Sequence, residues 1–341
     1  MLQLLKSRKF RLAIFGCILL YLFAATRIES HRIDQEKKTT VPGGSGFDFS
    51  VNRTQLWSDV ERLSAPDMEG RQTGTPGNHK AQDYVIKRFQ ESGIVPLNGN
   101  YRQKFSFVRH SIRGLLKPSG KYEQQFPDAT NLIGYVPGTK DPHDFVALSA
   151  HYDHLGIRDG KLYPGADDDA SGVAALFAAG EYLKTHAPSH SVLICAFDGE
   201  EFGLRGSEAF FKNPIVDPHH ILFDVSMDMV SHNDRNEIFI AGTWQHPELM
   251  QITLPIAKQS KVKMLYGHDR PKYVAGNVDN WLDGSDHYWF YKSGIPFLYF
   301  GVEDHPDYHA PTDTFDHINK EFYANVVETI IATLRRVDST L

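Results

Sequence analysis

The chain has 341 residues, with 36 Lys and Arg against 42 Asp and Glu, 17 His and two Cys. An apolar content of 41% is that of a core-forming chain and excludes global disorder, and a net charge of −6 argues against a general nucleic-acid binder, which needs a basic surface. Two Cys exclude a disulfide framework and a Cys-rich zinc module, so a bound metal must be held by His and carboxylate.

In chain order, Lys6, Arg8, Lys9 and Arg11 precede an uncharged apolar run over 12–26. Residues 1–26 read as a signal peptide or an N-terminal membrane anchor, which places the rest outside the cytoplasm: periplasmic, extracellular or membrane-anchored. Removing this segment leaves 32 basic against 42 acidic residues, a body of charge −10 whose one thiol, Cys195, lies in the apolar run SVLICAF and reads as a small buried hydrophobe. Residues 27–53 are polar, with VPGGSG at 41–46, and read as a linker.

Helical spacing predicts helices over about 54–64 and 78–92, then over 172–186 and about 319–337. Extended runs fall at 105–108, 131–136, 145–151, 191–198, 220–229, 237–242 and 295–301. Continuous apolar strands alternating with helices imply one α/β domain over 54–341, with a central mostly parallel (mixed) sheet flanked by helices.

Ionisable clusters follow one strand after another. FVALSA ends in His151-Tyr152-Asp153-His154, SVLICAF ends in Asp198-Gly199-Glu200-Glu201, and HILFDVSM ends in Asp228. Ligands of α/β sheets bind beyond the C-terminal strand ends, and several buried acids together need cations, which favours a metal site. His151 and Asp153 lie on one side of an extended strand, so His151 reads as a ligand and Asp153 as its orienter. In GADDDASG at 165–172, three acids precede a helix; at most one or two can cap it, and Asp168, in the middle, is the candidate to bridge two cations. Glu200 and Glu201 point in different directions, so one can bind metal while the other acts as general base. The loop HPDYHAPTDTFDHIN offers His305, His309 and His317, and spacing alone does not choose among them.

These strings, with SDH at 285–287 and GIPF at 294–297, resemble in order the M28 family of co-catalytic zinc peptidases over roughly 50–340. The resemblance implies two Zn²⁺ per chain: His151 and Asp228 in one site, Glu201 and His309 in the other, Asp168 bridging and Glu200 as general base. It also implies a cis peptide at Asp168–Asp169 and peptide substrates cleaved at the N-terminus. Glutaminyl-cyclase-like acyl transfer and carboxypeptidase activity on the same fold are the enzymatic alternatives; a non-catalytic receptor-like protein is disfavoured because all five ligands and the base are kept. Some relatives carry a Tyr three residues before Ser-Asp-His, where this chain has Leu282, leaving Tyr288 and Tyr308 as substitutes. Trp281, Tyr288, Trp289, Phe290 and Tyr291 are candidates to line a pocket, and Asp198 or Asp286 to hold a substrate amine.

Overall fold

Strand β7 (His190–Phe197) shows why the sheet is covered on both faces. Val192, Ile194 and Ala196 belong to one apolar cluster, and Leu193, Cys195 and Phe197 to another. Side chains of a strand alternate between faces, so an unbroken apolar run needs a partner layer on each side. The buried free thiol of Cys195 is simply part of the smaller cluster.

The computed structural model describes residues 44–110, 123–271, 274 and 278–341. The segment 1–26 and most of the polar linker lie outside them. The linker's end does not hang free: Phe47, Phe49 and Val51 pack against the larger cluster, because two aromatics and a Val have apolar area to bury. Among the described residues no helix is long and apolar enough to cross a membrane.

Helices α1 (Arg53–Leu63) and α2 (Pro76–Glu91) come first. The side chain of Asn52 caps α1 on Gln55 N, and Thr75 caps α2 on Asn78 N with Pro76 at the first helical position. Strands β1 (Val95–Pro96), β2 (Arg102–His110), β3 (Glu123–Val136) and β4 (Asp141–His151) follow, then a small hairpin of β5 (Gly156–Arg158) and β6 (Lys161–Tyr163). Helix α3 (Gly172–Leu183), β7, α4 (Arg205–Lys212), β8 (Ile221–Met227), β9 (Glu237–Ala241), α5 (Met250–Ala257), β10 (Lys263–Tyr266), α6 (His287–Lys292), β11 (Phe297–Gly301) and α7 (Lys320–Asp338) complete the domain.

The main sheet runs β1-β3-β7-β4-β8-β11-β9-β10, with β2 on β3. It is less parallel than the apolar runs suggest. Strands β7, β4, β8 and β11 are parallel, as are β9 and β10, whereas β3 is antiparallel to β7 and β9 to β11. The antiparallel flanks carry the polar residues that periodicity reads poorly. Register aligns the working ends of the centre: His151 pairs with Phe197, and Ser149 with Ser226, so His151 and Asp228 lie level two residues further on.

One buried cation ties the early chain to these strand ends. Arg71 is fully buried, and its guanidinium donates to the main-chain oxygens of Leu63, Tyr152, Pro164 and Gly165 at 2.7–2.8 Å, with Asp168 O at 3.4 Å. Burial works against its charge, and Asp168, Asp313, Asp169 and Asp153 work for it. Replacing Arg71 by Met would leave these carbonyls unpaired and the acids without their cation. The expected loss is about 3–5 kcal/mol of unfolding free energy in urea titrations, and a loss below about 1 kcal/mol would show that the guanidinium is dispensable.

Candidate metal centre at the strand ends

The side chains that end the central strands meet in a cavity of about 380 Å³. Asp168, Glu200, Glu201, Asp228 and His309 line it together with Met229, Asp279, Trp281, Tyr299, Asp304 and Tyr308. A larger cleft, about 510 Å³, lies between Phe47–Phe49 and the end of α7 and contains none of these groups.

Two donor groups share Asp168. His151 Nε2 is 3.4 Å from Asp168 Oδ1 and 3.3 Å from Asp228 Oδ1. His309 Nε2 is 3.2 Å from Asp168 Oδ2 and 3.5 Å from Glu201 Oε2. Asp168 therefore turns one oxygen to each group. Ligands of a tetrahedral zinc with bonds of about 2.1 Å stand about 3.4 Å from one another, so the spacing and the imidazole–carboxylate chemistry both fit that ion.

The ring of His151 is set for this use. Its Nδ1 donates to the main-chain oxygen of Asp153 at 3.1 Å, which leaves the Nε2 lone pair facing Asp168 and Asp228. The orienting atom is thus the carbonyl of Asp153. The carboxylate, expected to do this work, stands 3.8 Å from Nδ1 and instead accepts from Glu200 N at 3.1 Å and Thr73 Oγ1 at 3.3 Å. A main-chain carbonyl two residues on is closer to the ring than the side chain can come while it holds the Glu200 turn.

The three acids of GADDDASG divide the labour. Asp169 accepts from Gly172 N, Met229 N and His151 N, so the helix-capping role falls to it. Its carboxyl also stands near His151 and Asp228, but both oxygens are already engaged. Asp167 accepts from Ser231 N and Oγ at 2.7 Å each. Asp168 is left to face the cavity, held from behind by Asp313, whose carboxylate accepts from Asp167 N and Asp168 N. The Asp168–Asp169 peptide is cis.

Electrostatics separate the two glutamates. Glu200 is pushed well above the usual carboxylate range by burial, relieved by His151 and reinforced by Asp228 and Glu201. Glu201 is held low: burial and Asp168 oppose its charge, but the imidazoles of His154 and His309 beside it favour the carboxylate. His154 completes that side. It is fully buried, its Nδ1 stands 2.8 Å from Glu201 Oε1 and 3.6 Å from Asp168 Oδ2, and neither ring nitrogen nor Glu201 Oε1 finds a hydrogen bond. Orphaned polar atoms facing one another across a buried gap are what a site shaped around a cation leaves. Gly165, at φ +63°, permits this, since a Cβ there would lie 2.5 Å from the His154 ring.

Several expectations for the cavity wall change. Trp281 lines it, but Phe290 is core, and Tyr288 and Trp289 instead take the Lys292 ammonium on their faces. Asp198 is bound by Thr73, Asn78 and Thr130 N, and Asp286 accepts from Ser207 with its other oxygen unpartnered; neither lines the cavity, whose further acids are Asp279 and Asp304. Tyr308, and not Tyr288, reaches the cavity. Arg71, His154 and Asp313 carried no assigned role in the sequence reading, although His154 and Asp313 stand inside strings that were singled out.

The sequence matches peptidase family M28 over residues 131–334. A probable glutamate carboxypeptidase of Zea mays is 27% identical over 217 residues, covering 58% of this chain and 28% of that protein. Aminopeptidase YwaD of Bacillus subtilis is 25% identical over 263 residues, covering 71% of this chain and 54% of the relative, so the chain spans well under two thirds of either. A zinc aminopeptidase structure from Bacillus subtilis superposes with a TM-score of 0.63 at 15% identity, covering 84% of this chain and 95% of that one, which shows a common fold.

With one oxygen in each donor group, Asp168 is expected to be needed by both. Asp168→Ala should therefore lose both ions of this centre when zinc is counted per chain after reconstitution, and zinc content equal to the wild type in that variant would contradict the shared role.

Proposed function

The chain belongs to peptidase family M28, and we propose that it is a di-zinc exopeptidase that removes N-terminal residues from peptides. The observation that carries this reading is Asp168, with one oxygen toward His151 and Asp228 and the other toward Glu201 and His309. When bound, a zinc pair supplies Lewis-acid polarisation of the scissile carbonyl and acidifies water enough to give a nucleophile near neutral pH.

The protein's own groups do the rest. Glu200, its carboxyl raised by burial and set by the Asp153 contact to its main chain, takes the proton from the attacking water and returns it to the leaving amine. Tyr308 lies in the wall with its ring stacked on His309 at 4.0 Å. Burial and the nearby Asp168, Asp228 and Asp304 push its hydroxyl far above the ordinary phenol range, so it stays protonated and serves as donor to the developing oxyanion.

Charge supports amine over carboxylate recognition. Asp279 and Asp304 stand in the wall beside the ligands, and no Lys or Arg lines the cavity among the described residues. Such a wall attracts a free ammonium and repels the α-carboxylate that a carboxypeptidase must hold.

Aminoacyl-anilides and N-blocked peptides offered to the zinc-reconstituted protein test the reading: the free-amine substrates should be cleaved, and cleavage only of blocked ones would exclude an aminopeptidase. Glu200→Ala should lower kcat about 10²–10⁴-fold with zinc content unchanged, and Tyr308→Phe about 10²-fold; wild-type turnover in the former would remove the general base from the mechanism.

A further inference from the structure

A second set of ligand-type side chains stands behind the centre. The loop after β8 brings His232, and the loop that carries His309 brings His305 and Asp307. Each of the three offers a donor atom within 4.8 Å of the other two. The sequence had singled out His305 and His317 as candidate ligands, and the catalytic centre uses neither.

Their hydrogen bonds leave a telling remainder. His305 Nε2 engages Asp167 Oδ2 at 3.0 Å, which fixes its hydrogen there and frees the Nδ1 lone pair. That Nδ1 is buried with no partner, on a side chain only 8% exposed. His232 Nδ1 is buried and unpartnered in the same way. Asp307 Oδ2 lies 3.8 Å from it and 3.1 Å from His317 Nδ1. A carboxylate on the far nitrogen of an imidazole is the usual means of aiming a metal-binding histidine. Two ring nitrogens and one carboxylate oxygen are a donor set for a cation of borderline softness, not for calcium or magnesium.

We propose that His232, His305 and Asp307 bind a third divalent cation of the zinc class, with Asp167 and His317 orienting the ligands. The two imidazoles stack at 3.8 Å with their planes 19° apart, so binding requires them to splay. His232 makes no side-chain hydrogen bond among the described residues that would oppose that rotation. The site spans the chain on either side of the centre: Asp167 precedes Asp168, and Asp307 lies two residues before His309. Its ion therefore clamps the His309 loop against the segment that carries the shared carboxylate.

This inference uses donors distinct from those of the catalytic reading, and the two fail separately. The chelator-stripped full chain, titrated with Zn²⁺ and with Co²⁺, should take up three ions, and His232→Ala and Asp307→Asn two each, with the Co²⁺ absorption of the third equivalent missing. Melting temperatures in EDTA establish that the variants fold, and His232→Gln replaces any that does not. Saturation of the wild type at two ions, both lost in Asp168→Ala, would mean that a proton on His305 fills the cluster and would overturn the proposal. Uptake of three ions by both variants would overturn it equally. One ion kept in Asp168→Ala upholds both readings, whereas a wild type that takes a single ion, kept in Asp168→Ala and lost in His232→Ala, would uphold this one while removing the metal from the catalytic reading.

Discussion

Gathering buried carboxylates in one place is the constraint on which the rest of this structure depends. Asp153, Asp167, Asp168, Asp169, Asp198, Asp228, Asp286 and Asp313 are all buried, and Asp153, Asp198 and Asp228 stand just beyond the ends of parallel strands. Ionised acids in such a setting are tolerated only where donors or cations meet them. Most are met by the protein itself: Asp169 by three main-chain N–H groups, Asp313 by two, and Asp198 by Thr73, Asn78 and Thr130 N. Arg71 supplies a buried positive charge, and its donors are spent on carbonyls. Around the cavity, Asp168, Asp228, Glu200 and Glu201 are met chiefly by histidines. These groups line the cavity or border it, so the fold's electrostatic debt and its chemistry fall on the same residues.

The sheet makes that concentration possible. Parallel β7, β4, β8 and β11 end at one level, and the register that pairs Ser149 with Ser226 brings His151 and Asp228 together. Helix α3 begins beside them, so the segment before it delivers Asp168 without a long loop. Asp313 and Arg71 grip that segment from opposite sides. A side chain distant in sequence, Arg71, thus helps to set the position of the shared carboxylate through main-chain carbonyls.

Much of this could be read in the sequence, for physical reasons. The order of helices and strands followed from periodicity, and the acids stood out because they interrupt apolar runs. Strand geometry suggested only that Glu200 and Glu201 point apart, and they lie in a short 3-10 turn beyond the strand; their separate roles, and the choice of His309 over His305 and His317, came from the family resemblance. The misses are of another kind. Arg71 ends a short 3-10 segment with no apolar pattern around it, and its value lies in five carbonyl oxygens brought together only by folding. His154 was visible in HYDH, but its direction depends on Gly165 holding a positive φ. The orienter of His151 turned out to be a main-chain atom, which no side-chain spacing reveals. The sequence implies a mixed sheet, and its flanking runs at 105–108, 131–136 and 237–242 are legible; which of them pair antiparallel depends on register that only folding sets.

The central claim is that two cations share Asp168. Anomalous diffraction at the zinc edge from crystals of the zinc-loaded protein measures this directly. The account predicts two peaks about 3.5–4 Å apart, one beside His151 and Asp228 and one beside Glu201 and His309, with an Asp168 oxygen on each. A single peak in the cavity, or a pair with Asp168 bound to neither, would contradict it.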